Sequence, residues 1–190
     1  NPSEINQIKK EVDVVNSLGF PANFVNKTGL PFEIAGGVQF KNQAQFNPIK
    51  YVNGLCNSII RNNGDIYTNT VVHDVKKNYD VFYTLTSGGI ISSKYVILAS
   101  HYPFINFPGM YFFKMYQSSS YIIGIDTKKT LFNGMYITSS YPTYSFRTAI
   151  YKGKKILLLG GGDHKTGTCV NYKETYGALE VYAKHLYPDC

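Results

Sequence analysis

Ten residues, Lys94 to Pro103, constrain this chain more than any other stretch. Their centre, Val96-Ile97-Leu98-Ala99, is an unbroken apolar run. That is the pattern of a strand covered on both faces, in a sheet with helices packed against it, because a half-exposed strand alternates. The run ends at Ala99 and Ser100, with His101 and a proline following. Small side chains, backbone and an imidazole therefore emerge together at the strand's carboxyl end, where open α/β sheets bind their ligands. A core strand running into an ordinary loop fits the same residues, so the flanking sequence has to decide.

Upstream, Ile5, Ile8, Val12, Val15 and Leu18 recur at helical spacing between Ser3, a capping residue type, and Gly19, so residues 4–18 read as an amphipathic helix. Gly19, Pro21, Gly29 and Pro31 make 19–33 a loop, and 34–46 reads as extended chain with room for a bulge at Gly36-Gly37. Asn47-Pro48 opens a second helix, with Asn47 as N-cap and Pro48 at the first helical position; Tyr51, Val52, Leu55, Ile59 and Ile60 form its apolar face up to the stop at Asn62-Asn63-Gly64. Residues 65–67 then read as a short strand, and 71–75 with 81–85 as two antiparallel strands. Ser87-Gly88-Gly89 turns the chain back through Ile90-Ile91 toward the apolar run. A helix, a meander and a buried strand form the pattern of half a nucleotide-binding sheet.

Beyond Pro108 the texture changes. Residues 111–117, 121–126, 134–138, 143–150 and 155–159 are short strand patterns separated by Ser, Asn, Gly and Lys turns, which indicates an antiparallel sheet. A last helix spans 172–186, with Tyr172, Tyr176, Leu179 and Tyr182 or Ala183 on one face and Pro188 beyond its end.

Composition narrows the function classes. The formal charge of +7 comes from scattered lysine pairs such as Lys76-Lys77 and Lys128-Lys129, which make no basic stripe for nucleic acid or an anionic membrane. No apolar run reaches the roughly 18 residues of a membrane span, so a soluble, cytoplasmic protein is expected. Cys56, Cys169 and Cys190 are odd in number and in no metal-ligand spacing, which reads as free thiols in a reducing compartment. His73, His101, His164 and His185 also lack ligand spacing, so no metal site is expected. The run Gly160-Gly161-Gly162 before Asp163-His164-Lys165-Thr166 fails both the Walker and the dinucleotide patterns, and reads as a tight turn presenting His164 and Lys165. Arg147, one of two arginines, sits among aromatics and suits either a carboxylate clamp or a structural ion pair. No general base or nucleophile can be named.

Three segments taken together carry a resemblance: Gln43-Ala44-Gln45-Phe46-Asn47-Pro48 with its helix, the run from Gly64 to Val72, and Tyr95 to Phe104. They resemble the middle of FAD-dependent oxidoreductases of the D-amino acid oxidase and glycine oxidase superfamily. The stretches Met110 to Tyr121 and Gly160 to Gly167 resemble, more narrowly, a bacterial subgroup often fused to a C-terminal Rieske iron-sulfur domain. The resemblance implies that backbone around Val72 lies against the adenine of FAD, and that Ala99, Ser100 and His101 pass near its diphosphate and ribose. The wider superfamily often has glycine where His101 stands. The sheet past Pro108 resembles the family's substrate domain, whose inner face covers the flavin; Tyr116, Tyr136 and Arg147 are candidate pocket residues on residue type alone.

The family's GxGxxG turn and its closing C-terminal segment are not in this sequence, nor are Rieske ligands. The chain is thus expected to be an internal piece of a longer enzyme, binding FAD weakly or not at all by itself. The fold expected is α+β: a partial FAD-binding α/β sheet with a meander, plus an antiparallel substrate-domain sheet flanked by helices. Residues 1–46 and 108–190 would form the substrate domain and 47–107 the partial FAD domain. The parent would oxidise a C–N bond of a small amine or amino acid by hydride transfer to flavin. The alternative is a non-catalytic assembly module, its aromatic sheet and unpaired edges docking a partner or a second copy as a homodimer.

Overall fold

The computed structural model describes residues 2–168 and 171–190, so Cys169 lies outside the described residues. The chain divides into two compact units, one built from 1–43 with 117–190 and the other from 44–116. Helices and antiparallel sheets occupy separate stretches of chain, an α+β architecture, and every strand pair among the described residues is antiparallel.

In the first unit, helix α1 (Pro2–Ser17) lies on a two-stranded sheet of β1 (Ala22–Val25) and β2 (Gly37–Phe40). Val12, Val15 and Ala22 are buried together, with Phe24 and Val38 against them. Helix α1 as described takes in Ser3, and the capping role expected of its side chain lies outside the described residues. Gly19 ends it as expected: at φ +84 it lets its own N–H reach Asn16 O and that of Phe20 reach Val15 O, the paired bonds of a Schellman ending. The side chain of Asn16 bonds both backbone groups of Ala22 at 3.0 Å. That anchor makes a strand of 22–25, inside the stretch read as loop, and only the 37–40 part of 34–46 is strand.

The main sheet of this unit has the order β6-β9-β8-β7, from β6 (Ser118–Ile125), β7 (Met135–Ile137), β8 (Ser145–Tyr151) and β9 (Lys154–Lys165). Helix α3 (Tyr172–Leu186) covers one face. Phe146, Leu157 and Leu159 are fully buried there with Leu179, Ala183 and Leu186 of the helix. Tyr144 and Tyr182 stack with centroids 4.2 Å apart, and burial, with the neighbouring Tyr144 second, holds the Tyr182 hydroxyl above its usual pKa. From the loop before β2, Phe32 packs on Phe146 at 5.7 Å.

The second unit holds helix α2 (Pro48–Arg61) and the meander β3 (Val72–Asn78), β4 (Val81–Thr86), β5 (Gly89–Ser93). Asn47 caps α2 by accepting from Lys50 N at 3.1 Å, with Pro48 at the first position, as the sequence predicts. Residues 65–67 form no strand, and 111–117 holds a single 3-10 turn, Tyr111–Phe113.

The central expectation is corrected here. Val96 to Ala99 is not a strand, and Ile97 and Leu98 are 88% and 44% exposed. A strand needs at least one neighbour to ladder with, and the meander order β3-β4-β5 places none beside this run. Helix α2 likewise has no buried residue, although Val52, Leu55 and Ile59 line one face.

Candidate functional site

Alternation along β6 gives the main sheet two unlike faces. Tyr121, Ile123 and Ile125 turn toward α3, whereas Ser120, Ile122 and Gly124 turn away from it to an open face. Register carries the division across the sheet, since directly opposed residues share a face. Ile122 opposes Gly160, Gly160 opposes Ser145, and Ser145 opposes Ile137. Gly124 and Arg147 both oppose Leu158, and Arg147 also opposes Met135. The open face is thus an apolar floor of Ile122, Met135, Ile137 and Leu158, with glycine backbone at its centre and a guanidinium on it. Arg147 is exposed and makes no ion pair among the described residues.

Toward one end of this face lies a recess of about 170 Å³, lined by Ser120, Ile137, Thr143, Ser145, Gly160, Gly161 and Asp163. Thr143 is brought there by the loop between β7 and β8, which Thr138 closes by accepting from Tyr144 N at 2.8 Å and donating its own N–H to Tyr144 O at 2.9 Å. A Cβ at Gly160 would overlap Ser145 Oγ, so a side chain there would displace that hydroxyl.

The structure separates two of the expected pocket residues. Tyr136 opposes Phe146 and so lies on the helix-covered face, its ring edge-on to Phe132 at 5.0 Å and its hydroxyl donating to Asn133 O at 2.9 Å. Arg147 stands on the opposite face, so these two do not line one pocket. Tyr116 belongs to the 44–116 unit and is 76% exposed. The glycine run is not a turn: Gly160, Gly161 and Gly162 lie within β9. His164, expected at a turn tip, stacks on Tyr121 at 5.4 Å with Nδ1 3.0 Å from Gly162 O. Asp163, Ser120, Thr143 and Ser145 carried no sequence signal beyond their polarity, because strand register and face cannot be read where a glycine run hides a bulge.

In the 44–116 unit, Val72 begins the edge strand β3. Val71 bonds Ser87 through both backbone groups, N to Ser87 Oγ at 3.1 Å and O from Ser87 N at 2.9 Å. Alternation then turns the N–H and C=O of Val72 outward, one donor and one acceptor on an unpaired edge. One donor beside one acceptor is the complement of the acceptor and donor on an adenine edge. Ala99 precedes a three-residue turn of Ser100, His101 and Tyr102, closed by Tyr102 N to Ser100 O at 2.7 Å, with Ser100 Oγ donating to Tyr102 O at 2.8 Å. His101 sits at its centre with φ +65, backbone that favours glycine. Among the described residues no group of three or more His, Cys, Asp or Glu side chains could hold a metal, and no helix is long and apolar enough to cross a membrane. Cys56 and Cys190 are free thiols.

Fold and site together define an α+β chain with an exposed antiparallel sheet face in one unit and an edge strand beginning at Val72 in the other. A family model described as FAD dependent oxidoreductase matches residues 2–189, and the chain belongs to that family. It is 32% identical over 184 residues to a Bacillus subtilis (strain 168) protein, YhfW, described as a Rieske 2Fe-2S iron-sulfur protein. The match takes in 97% of this chain and 36% of that relative, so the chain spans about a third of the relative's length. No solved structure matches significantly.

Proposed function

We propose that the chain is the substrate-facing and adenine-facing portion of an oxidoreductase that oxidises a small amine or amino acid at its C–N bond. FAD, when bound, supplies the hydride acceptor. The outward backbone of Val72 would hold the adenine, and the turn at Ala99, Ser100 and His101 would follow the diphosphate and ribose. The bare sheet face would exclude water from the reacting atoms through Ile122, Met135, Ile137 and Leu158. Arg147, charged and without an ion pair among the described residues, would orient an anionic substrate group through its two-pronged guanidinium. The single observation carrying this reading is a sheet with one face packed to full burial and the other apolar, glycine-centred and bare.

The test is anaerobic reconstitution of the full-length protein with FAD and a screen of amines and amino acids for bleaching of the flavin band. Bleaching by one or more is expected, with Arg147→Met raising KM for substrates bearing a carboxylate. Failure of every compound to bleach retained flavin overturns the substrate class; failure to retain FAD overturns the flavin role. A second reading, assembly through exposed apolar faces, is favoured by helix α2, whose Ile49, Val52, Leu55 and Ile59 are all exposed. Concentration-dependent association of the full-length protein that ignores FAD and amines would support it.

A further inference from the structure

Strand β9 carries one residue more than the strand opposite. Tyr121 opposes Gly161 and Ser119 opposes His164, so two steps along β6 meet three along β9. The surplus is absorbed beside Gly162, at φ +72, where a side chain would collide with Thr175 Cγ2 of helix α3. Such a bulge re-aims the residues that follow it. Unbroken alternation would send Asp163 to the helix face along with Gly161. The bulge instead gives that place to His164, stacked on Tyr121, and delivers Asp163 to the open face beside Ser120.

Asp163 thereby joins three hydroxyl-bearing residues, Ser120, Thr143 and Ser145, in lining the recess of about 170 Å³. No hydrogen bond or ion pair among the described residues engages any of these four side chains. An ionised carboxylate only accepts, and hydroxyls turn to suit, so the recess is a set of acceptors with one negative charge. Its complement is a compact cation with several N–H donors on a short apolar stem, which Ile137 and the glycine backbone would flank. A hard divalent metal wants six or more oxygens, commonly several carboxylates, and a single carboxylate stands here. At about 30 Å³ per water, the volume suits a head of a few heavy atoms.

We propose that this recess binds the ammonium head of a small aliphatic amine, held by the Asp163 carboxylate and the hydroxyls of Ser120, Thr143 and Ser145. Its role as a substrate subsite rests on the reading above; the binding itself does not.

The test uses the full-length protein, titrated at fixed ionic strength with n-butylammonium chloride, and in parallel with n-butanol and sodium butyrate. Saturable binding of butylammonium alone is expected, with amide shifts at Gly160, Gly161 and Asp163. Asp163→Asn should weaken it at least tenfold without altering Tm, and Ser145→Ala should weaken it several-fold. Equal binding of butanol or butyrate, or affinity unchanged in Asp163→Asn, overturns the proposal. Flavin absorbance of the same samples separates the two claims. Flavin retained without ammonium binding sinks the recess alone, and ammonium binding without flavin sinks the cofactor reading alone.

Discussion

The carboxylate of Asp189 receives Thr127 Oγ1 at 2.8 and 2.9 Å and the backbone N–H of Lys128 at 2.7 Å, tying the loop after β6 to the end of the chain. These bonds, the Thr127 hydroxyl first, hold its pKa below the usual carboxylate value. A lowered folded pKa gives stability that is full above the unfolded pKa and is lost as pH falls through the folded one. Asp189→Ala should therefore lower Tm at pH 7, and the gap to wild type should close below about pH 4; a gap constant down to acid pH would refute the linkage. His101 makes a different prediction. At φ +65 a β-carbon is strained, and His101→Gly should be neutral or stabilising by up to about 1 kcal/mol in urea melts, while His101→Val should destabilise. The sequence offered both residues but only one of the reasons. A family-level glycine pointed to His101, whereas nothing local pairs Asp189 with Thr127, sixty-two residues away.

Helices were legible because their signals are local. Asn47-Pro48 and Asn62-Asn63-Gly64 bracket α2, where Asn63 takes φ +60 and Gly64 N reaches back to Ile59 O at 2.9 Å. Asn47→Ala should cost about 1 kcal/mol of helix stability and Asn47→Asp little, read by circular dichroism on melting. Strands were legible where they alternate, as in β3, β4 and β6; beyond the misread stretches at 22–25, 34–46, 65–67 and 111–117, two misreadings bear directly on the candidate sites. Val96 to Ala99 has the composition of a buried strand but no described ladder to join, and a strand exists only through its neighbours. In β9 a glycine run that reads as a turn is instead a site of close approach: Gly161 abuts Tyr144 and Leu179, and Gly162 abuts Thr175. That misreading concealed the recess, since the face Asp163 occupies depends on the bulge.

The unit built from 1–43 and 117–190 is discontinuous along the chain, yet its two parts share a core, with Leu30 and Phe32 packed among Phe146 and its neighbours. A single protease cut within 44–116 should leave both parts eluting together in native gel filtration and separating only in denaturant; native separation would show that Phe32 does not anchor them. The 44–116 unit differs in kind, with an amphipathic helix that buries nothing and exposed apolar side chains at Ile97 and Phe107. At this scale the sequence was informative about family and silent about which faces would stand bare.

Discontinuity also orders events on the ribosome. The segment bearing Phe32 leaves the exit tunnel well before Phe146, its ring partner, has been translated. Until then its aromatic side chains have no home in that core, and nascent protein is exposed to premature clumping for as long as the intervening codons take to read. Slow decoding between them would lengthen that interval, and trigger-factor-like holdases would be expected to engage there first.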